Sequence, residues 1–202
     1  MKDSLKVAIC GATGFVGIEL IKILLNHKKV KIVYLCAKKS VGKKIEKFDR
    51  SLINKKLPII DKFENIDFKN INLIFTALPN GEAQAIANKI PNNLRLIDLS
   101  ADFRLNDNQK YLKWYKKKHK ATKLIKKSIY ALTEFSKNKL KKYKIIACPG
   151  CYPTSVQLPL IPLLEKRIIN TNNIIIDSKS GYSGAGRNLK KKFKFKNLFN
   201  SV

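Results

Sequence analysis

Apolar positions along the first 36 residues follow two rhythms. Residues 5–10, Leu-Lys-Val-Ala-Ile-Cys, form a nearly continuous apolar run of strand length. A glycine-rich turn follows at 11–14, and residues 15–26 then place Val16, Leu20, Ile23 and Leu24 at helical spacing. Residues 30–36 are a second apolar run, so the three segments predict a strand–helix–strand unit. The pattern continues with strands at 73–77, 95–99, 144–147 and 173–177 and helices at 82–89 and 154–165, the last despite Pro159 and Pro162. Continuous apolar strands alternating with helices predict a parallel sheet covered on both faces. Residues 38–67 read as polar, Lys-rich and irregular, with a short strand near 57–60. Residues 106–128 read as helix and surface loop, and the basic tail at 189–202 gives no clear element.

Composition narrows the class. The chain has 202 residues, room for one large domain or one domain and part of a second. A 45% hydrophobic content supports a real core. No apolar run approaches the roughly 20 residues needed to span a bilayer, and Met1-Lys2-Asp3-Ser4 leads directly into a short strand, unlike a secretory signal. A soluble cytoplasmic protein with no membrane partner is the expectation. The net charge is +28, and only five of the 42 basic residues are arginine. These cations are spread along the chain, with small clusters at 116–118 and 190–192. A nucleic-acid module would gather them on one face with aromatics between, so no specific nucleic-acid partner is expected, only salt-dependent attraction to polyanions.

Two segments carry chemistry. Gly11-Ala12-Thr13-Gly14-Phe15-Val16-Gly17 lies between the first strand and the first helix. Such glycines permit a tight turn, a close approach of backbone to a pyrophosphate, and close helix–strand packing, and the helix start offers N–H groups to an anion. A merely structural turn is the alternative. After the second strand stands Ala37-Lys38-Lys39-Ser40, with no acid to take a ribose 2′-OH, which favours the 2′-phosphate of NADP over NAD.

The second segment is Cys148-Pro149-Gly150-Cys151. Its C-x-x-C spacing leaves a dithiol or zinc reading open, although structural zinc needs two more ligands. Cys10, Cys36 and Cys148 read as small buried hydrophobes. Cys151 precedes a helix-like segment, where the helix start favours a nucleophilic thiolate. A dinucleotide fold with such a cysteine suggests an acyl-phosphate or aldehyde oxidoreductase. The thiolate attacks an activated acyl carbon, phosphate departs, and hydride reduces the thioester. A second glycine-rich loop, Ser180-Gly181-Tyr182-Ser183-Gly184-Ala185-Gly186-Arg187, can form an N–H nest for an anion, with Arg187 adding a forked charge. An ordinary flexible loop is the alternative.

These segments, together with Leu-Pro-Asn-Gly at 78–81 and Ile-Asp-Leu-Ser-Ala-Asp-Phe-Arg-Leu at 97–105, resemble in order the N-acetyl-gamma-glutamyl-phosphate reductases of arginine biosynthesis. The aminoadipyl-phosphate reductases of lysine biosynthesis look nearly the same in these motifs. The resemblance implies an α/β fold, with an N-terminal Rossmann-type parallel-sheet domain that binds NADP at 1–150. The incomplete start of an α+β catalytic and dimerisation domain would follow at 151–202. It implies NADPH-dependent reduction of a small acyl-phosphate substrate, N-acetyl-gamma-glutamyl phosphate, by a homo-oligomer, with Cys151 as nucleophile. Gly11, Thr13, Gly14, Phe15, Val16 and Gly17 would bind the cofactor pyrophosphate and Ser40 would lie near the 2′-phosphate. Pro79, Ser180, Gly181 and Gly184 would approach the nicotinamide half. Arg104, Glu134 and Arg187 would serve the substrate.

The sequence departs from the family's pattern at several points. The family usually has Asn where Cys148 stands, His where Asn80 stands, and Gly-Leu-Pro where Ala131-Leu132-Thr133 stand. Family members are longer, and their catalytic His lies in a His-Arg-His-(Thr/Ile)-Pro-Glu segment past residue 202. His27, at a helix end, and His119, in a Lys-rich segment, read as solvated residues. The expectation is a C-terminally truncated reductase without normal turnover alone. A non-catalytic dinucleotide-binding remnant is the alternative.

Overall fold

The apolar runs become strands because both of their faces are covered. In β1 (Leu5–Cys10), Val7 and Ile9 enter one buried cluster, with Ile18, Ile21 and Leu24 of α1 (Phe15–Leu25). Ala8 and Cys10 enter the other cluster, with Ile86 and Ala87 of α2 (Ala83–Lys89). This strict alternation is the two-residue period of a strand, with a hydrophobic layer on each side. The buried stripe of α1 runs through Gly17, Ile18, Ile21 and Leu24. Val16 and Ile23, read from spacing as inward, are exposed. Two overlapping apolar stripes exist on this helix, and packing on β1 selects one.

The computed structural model describes residues 4–186. The chain divides into two compact units, Met1–Pro149 and Gly150–Val202. The first unit holds β2 (Val30–Cys36), β3 (Ile60–Asp61), β4 (Leu73–Thr76), β5 (Arg95–Asp98), α3 (Asn108–Tyr115), α4 (Thr122–Ile125), β6 (Ser128–Tyr130), α5 (Thr133–Ser136) and β7 (Ile145–Ala147). Its seven strands form one sheet in the order β3-β2-β1-β4-β5-β7-β6, and every neighbouring pair is parallel. The expected α/β architecture is therefore present. Strand β6 was not foreseen: it is three residues long, and it is a strand through its pairing with β7.

The segment at 106–128 is more than surface. Tyr111 is fully buried, and His119, Ala121 and Ile125 are nearly so, while the intervening lysines face solvent. His119 is therefore buried, not solvated as its Lys-rich surroundings had suggested. Its ring packs edge-on to Phe103 and Tyr111 at centroid distances of 5.3 and 4.9 Å. Its Nε2 lies 2.9 Å from the Asp102 carbonyl oxygen, and its Nδ1 accepts from the Ala121 N–H at 3.1 Å. Those partners fix the neutral tautomer with the proton on Nε2. His27 is exposed, in keeping with its reading.

The second unit opens with α6 (Cys151–Glu165), three residues earlier than the periodicity suggests, and it carries Pro159 and Pro162 internally. The strand expected at 173–177 is absent. Ile174, Ile175 and Ile176 are exposed, and no described strand lies beside them to complete a ladder.

Burial pushes the His119 pKa down, so the folded protein holds a neutral ring. The unfolded chain takes the proton near the ordinary value of about 6.5, so stability is full above that pH and is lost as pH falls below it. Thermal melts between about pH 7.5 and 5 should show Tm falling with acid, and a shallower fall in His119→Gln. Equal slopes in the two proteins would place the acid sensitivity elsewhere.

Candidate active site

The turn after β1 is held by the neighbouring strands. The N–H groups of Gly11 and Ala12 both donate to the Cys36 carbonyl at the end of β2, at 2.9 and 3.2 Å. Gly11 has φ of +89°, and a Cβ there would strike the Ala77 carbonyl beyond β4. A Cβ on Gly17 would strike the Gly11 carbonyl, so the first turn of α1 rests on the loop itself. Gly14 caps α1 with extended backbone and contributes no capping side chain of its own. Strand order runs outward in both directions from β1 and β4, which makes this the switch point where a crevice opens above a parallel sheet. Thr13 is half-buried, and Phe15 and Val16 are exposed. The structure thus brings residues 11–17 together in one turn that leads into a helix N-terminus, a geometry suited to an anion.

The loop after β4 is pinned by a buried carboxylate that sequence reasoning did not single out. Asp102 accepts from the N–H groups of Gly81 at 2.6 Å and Gln84 at 3.3 Å, and from the Tyr111 hydroxyl at 3.0 Å. The Tyr111 hydroxyl also meets Asn80 Oδ1 at 2.5 Å and accepts from Gln84 Nε2 at 2.8 Å. Burial first, and then the Asp102 charge, raise the Tyr111 pKa well above its ordinary value, so it stays a donor. The sequence signal was only the Asp-Phe-Arg motif, because a 21-residue separation hides the Asp102–Gly81 contact. Pro79, at the tip of this loop, is exposed.

A cavity of about 390 Å³ opens beside the glycine turn, lined among others by Cys10, Gly11, Cys36, Lys38, Leu78 and Glu82. Lys38, one of the two cations after β2, pairs with Glu82 at 2.9 Å. Ser40 is buried just beyond.

At the other side of the switch point, Asp98 ends β5 in a buried position. It accepts from Thr76 Oγ1 at 2.7 Å, the Ser100 N–H at 3.0 Å and Ser100 Oγ at 2.9 Å. Burial raises its carboxyl pKa, and these hydrogen bonds oppose the rise. Arg104 donates through Nε to the Cys148 carbonyl at 2.9 Å and through a terminal nitrogen to the Leu99 carbonyl at 3.2 Å. Its guanidinium ties the ends of β5 and β7 together. Glu134 lies exposed in the first turn of α5.

Cys148 is half-buried rather than fully buried. Burial, reinforced by Asp98, pushes its thiol up to about 11. A group held protonated at neutral pH is a poor nucleophile. Cys151 is exposed and is the first residue of the 15-residue α6, capped by Gly150 in extended conformation. Within this second unit Ser155 Oγ, one turn on, lies 3.3 Å from Ser178 Oγ, which draws the start of the glycine-rich loop toward the helix. Ser180, Gly181 and Gly184 are exposed, and the Gly184 N–H closes a turn onto the Gly181 carbonyl at 3.0 Å. Arg187 lies outside the described residues. Among the described residues, no three His, Cys, Asp or Glu side chains converge as a metal set, and no helix is long and apolar enough to cross a membrane.

Residues 6–143 match the family model described as semialdehyde dehydrogenase, NAD binding domain, and residues 151–202 match the semialdehyde dehydrogenase dimerisation domain. A protein of Ehrlichia canis (strain Jake) named N-acetyl-gamma-glutamyl-phosphate reductase is 44% identical over 203 residues, covering 100% of this chain and 58% of the relative. A rice protein (Oryza sativa subsp. japonica) named as a probable chloroplastic enzyme of the same kind is 40% identical, over 93% of this chain and 45% of its own length. The chain spans about half the length of the curated relatives it matches. Among solved structures, aspartate semialdehyde dehydrogenase II from Vibrio cholerae, complexed with ASA, aligns with a TM-score of 0.58 at 22% identity. That alignment covers 81% of this chain and 47% of the other, and it shows a shared fold.

Two outcomes follow from the geometry. Gly17→Ala should lower the unfolding free energy in urea by about 1–3 kcal/mol, because the added methyl meets backbone rather than a movable side chain. Limited alkylation followed by peptide mapping should label Cys151 first, Cys148 more slowly, and Cys10 and Cys36 only on unfolding. Labelling of Cys148 ahead of Cys151 would reverse the assignment of the reactive thiol.

Proposed function

Because the chain belongs to the semialdehyde dehydrogenase family, we propose that it forms the cofactor domain and the nucleophile-bearing segment of an N-acetyl-gamma-glutamyl-phosphate reductase. The observation that carries this reading is Cys151, an exposed thiol opening a long helix directly after Pro149-Gly150. The names of the relatives support the substrate. The cytoplasm is the proposed compartment, and the dimerisation-domain match supports a homo-oligomer.

The cradle fits a dinucleotide. Side chains at Gly11 and Gly17 would fill it, and its helix cap, Gly14, brings no side chain into it. Gly11, Thr13, Gly14, Phe15, Val16 and Gly17 hold the pyrophosphate. Ser40 serves the 2′-phosphate of NADP, since no acid follows β2 to prefer a free ribose hydroxyl. Pro79, on the loop fixed by Asp102, and Ser180, Gly181 and Gly184 serve the nicotinamide half. When bound there, NADPH would supply the hydride that the acyl carbon takes up.

The chain's own residues do the rest. Cys151 Sγ, as thiolate at a helix start, attacks the acyl carbon of the acyl phosphate. The carbon–oxygen bond to phosphate breaks, inorganic phosphate leaves with the bonding pair, and a thioester remains on Cys151. After reduction the carbon–sulfur bond breaks, and the semialdehyde departs as the thiolate is restored. Arg187 and the glycine-rich loop receive the phosphate. Arg104 holds the strand ends from which substrate-binding loops leave, and Glu134 is a candidate substrate contact.

The test runs the reaction backwards. N-acetylglutamate semialdehyde, inorganic phosphate and NADP together should yield NADPH in the polypeptide carrying this chain, and Cys151→Ser should lower that rate about a thousandfold or more. A rate unchanged in Cys151→Ser would remove the thioester route. NADPH binding with no turnover in the unsubstituted protein would leave a dinucleotide-binding remnant.

A further inference from the structure

Cys10 and Cys36 close neighbouring parallel strands and are register partners. Register partners project from the same side of a sheet, with their strands about 4.8 Å apart. Both residues line the cavity beside the glycine turn, although only 1% and 3% of their surfaces are exposed. Hydrogen bonding with Cys36, and then burial, push the Cys10 thiol well above its ordinary range. The Cys36 thiol also points toward the Lys62 carbonyl, 3.9 Å away. Two sulfur atoms therefore stand side by side at the floor of an open cavity, and the proposed reductase chemistry uses neither.

A direct disulfide is the poorer use of this pair. It would need a two-electron oxidant, which nothing in the chain supplies. A cation bound between the two sulfurs needs none. Zinc is also excluded as a match, since it takes four ligands and no third His, Cys, Asp or Glu joins the pair among the described residues.

We propose that Cys10 and Cys36 form a two-sulfur site for a soft cation, copper(I), which thiolates select and which two ligands satisfy. On binding, two S–H bonds break and two S–Cu bonds form. Two protons pass to solvent and no atom changes oxidation state. The bound unit carries one net negative charge. Lys38, Lys62, Lys89 and Lys120 line the same cavity and offset that charge, against Glu64 and Glu82. The site stands whether or not the cavity also takes a dinucleotide.

The experiment uses the full chain with Cys148→Ala and Cys151→Ala, which removes the other two thiols. Copper(I) is offered without oxygen as its coloured bicinchoninate complex. The chain should withdraw one copper, release two protons in weak buffer, and show two sulfur neighbours by X-ray absorption. Adding Cys10→Ala or Cys36→Ala should abolish the withdrawal, with folding checked by circular dichroism. Where such a variant unfolds, the sulfur count in the parent chain decides alone. No withdrawal, fewer than two sulfur neighbours, or equal withdrawal by folded Cys10→Ala would overturn the site.

Discussion

Every strand of the sheet runs the same way, and that constraint organises the first unit. A parallel strand leaves its sheet at the end where its neighbours also leave. The turns after β1, β2, β4, β5 and β7 therefore emerge on one edge, and they carry Gly11, Lys38, Pro79, Arg104 and Cys148. The crevice between β1 and β4 exists because the chain winds outward from those two strands in opposite directions. Glycine at positions 11 and 17 then lets backbone, rather than side chains, form the crevice floor.

Holding loops at such an edge needs polar groups in places water does not reach. The structure meets that need with two aspartates. Asp98 satisfies Thr76 and Ser100, and Asp102 satisfies Gly81, Gln84 and Tyr111. Among the described residues, no buried side-chain nitrogen or oxygen lacks a hydrogen-bond partner. A carboxylate with several donors can remain buried at tolerable cost, whereas removal of those donors would leave an unpaired charge. Arg104 completes the arrangement by bridging the carbonyls of Leu99 and Cys148. The same burial that rigidifies these loops raises the Cys148 thiol, so the two cysteines of the C-x-x-C pair are chemically unequal.

The glycine turn with its flanking strand and helix was legible in the sequence because everything it needs is local. A strand, a glycine turn and a helix follow one another within 21 residues, and their order states their geometry. The position of Cys151 beside a helix start was legible from Pro149-Gly150, although periodicity placed the helix three residues later. The Asp102 network was not legible. Its members are separated by up to 36 residues, counting the Lys120–Gln84 bond, and each looks like an ordinary surface residue within its own segment. His119 was misread for that reason: five lysines surround it between 116 and 123, and only the fold turns its ring inward between Phe103 and Tyr111.

Hydrophobic periodicity determined the strands β1, β2, β4, β5 and β7 and the helices α1 and α2, and with them the parallel sheet, because those depend on local spacing and on which faces must leave water. It also overreached at 173–177, where an apolar run has no described neighbour and remains coil. Only the tertiary structure decided which stripe of α1 is buried, that Ser128–Tyr130 pairs as a strand, and that Asp102 fixes the loop after β4. It also decided that Cys10 and Cys36 face one another across β1 and β2. Each of these is a relation between distant segments, and the partner that settles it is absent from any local window.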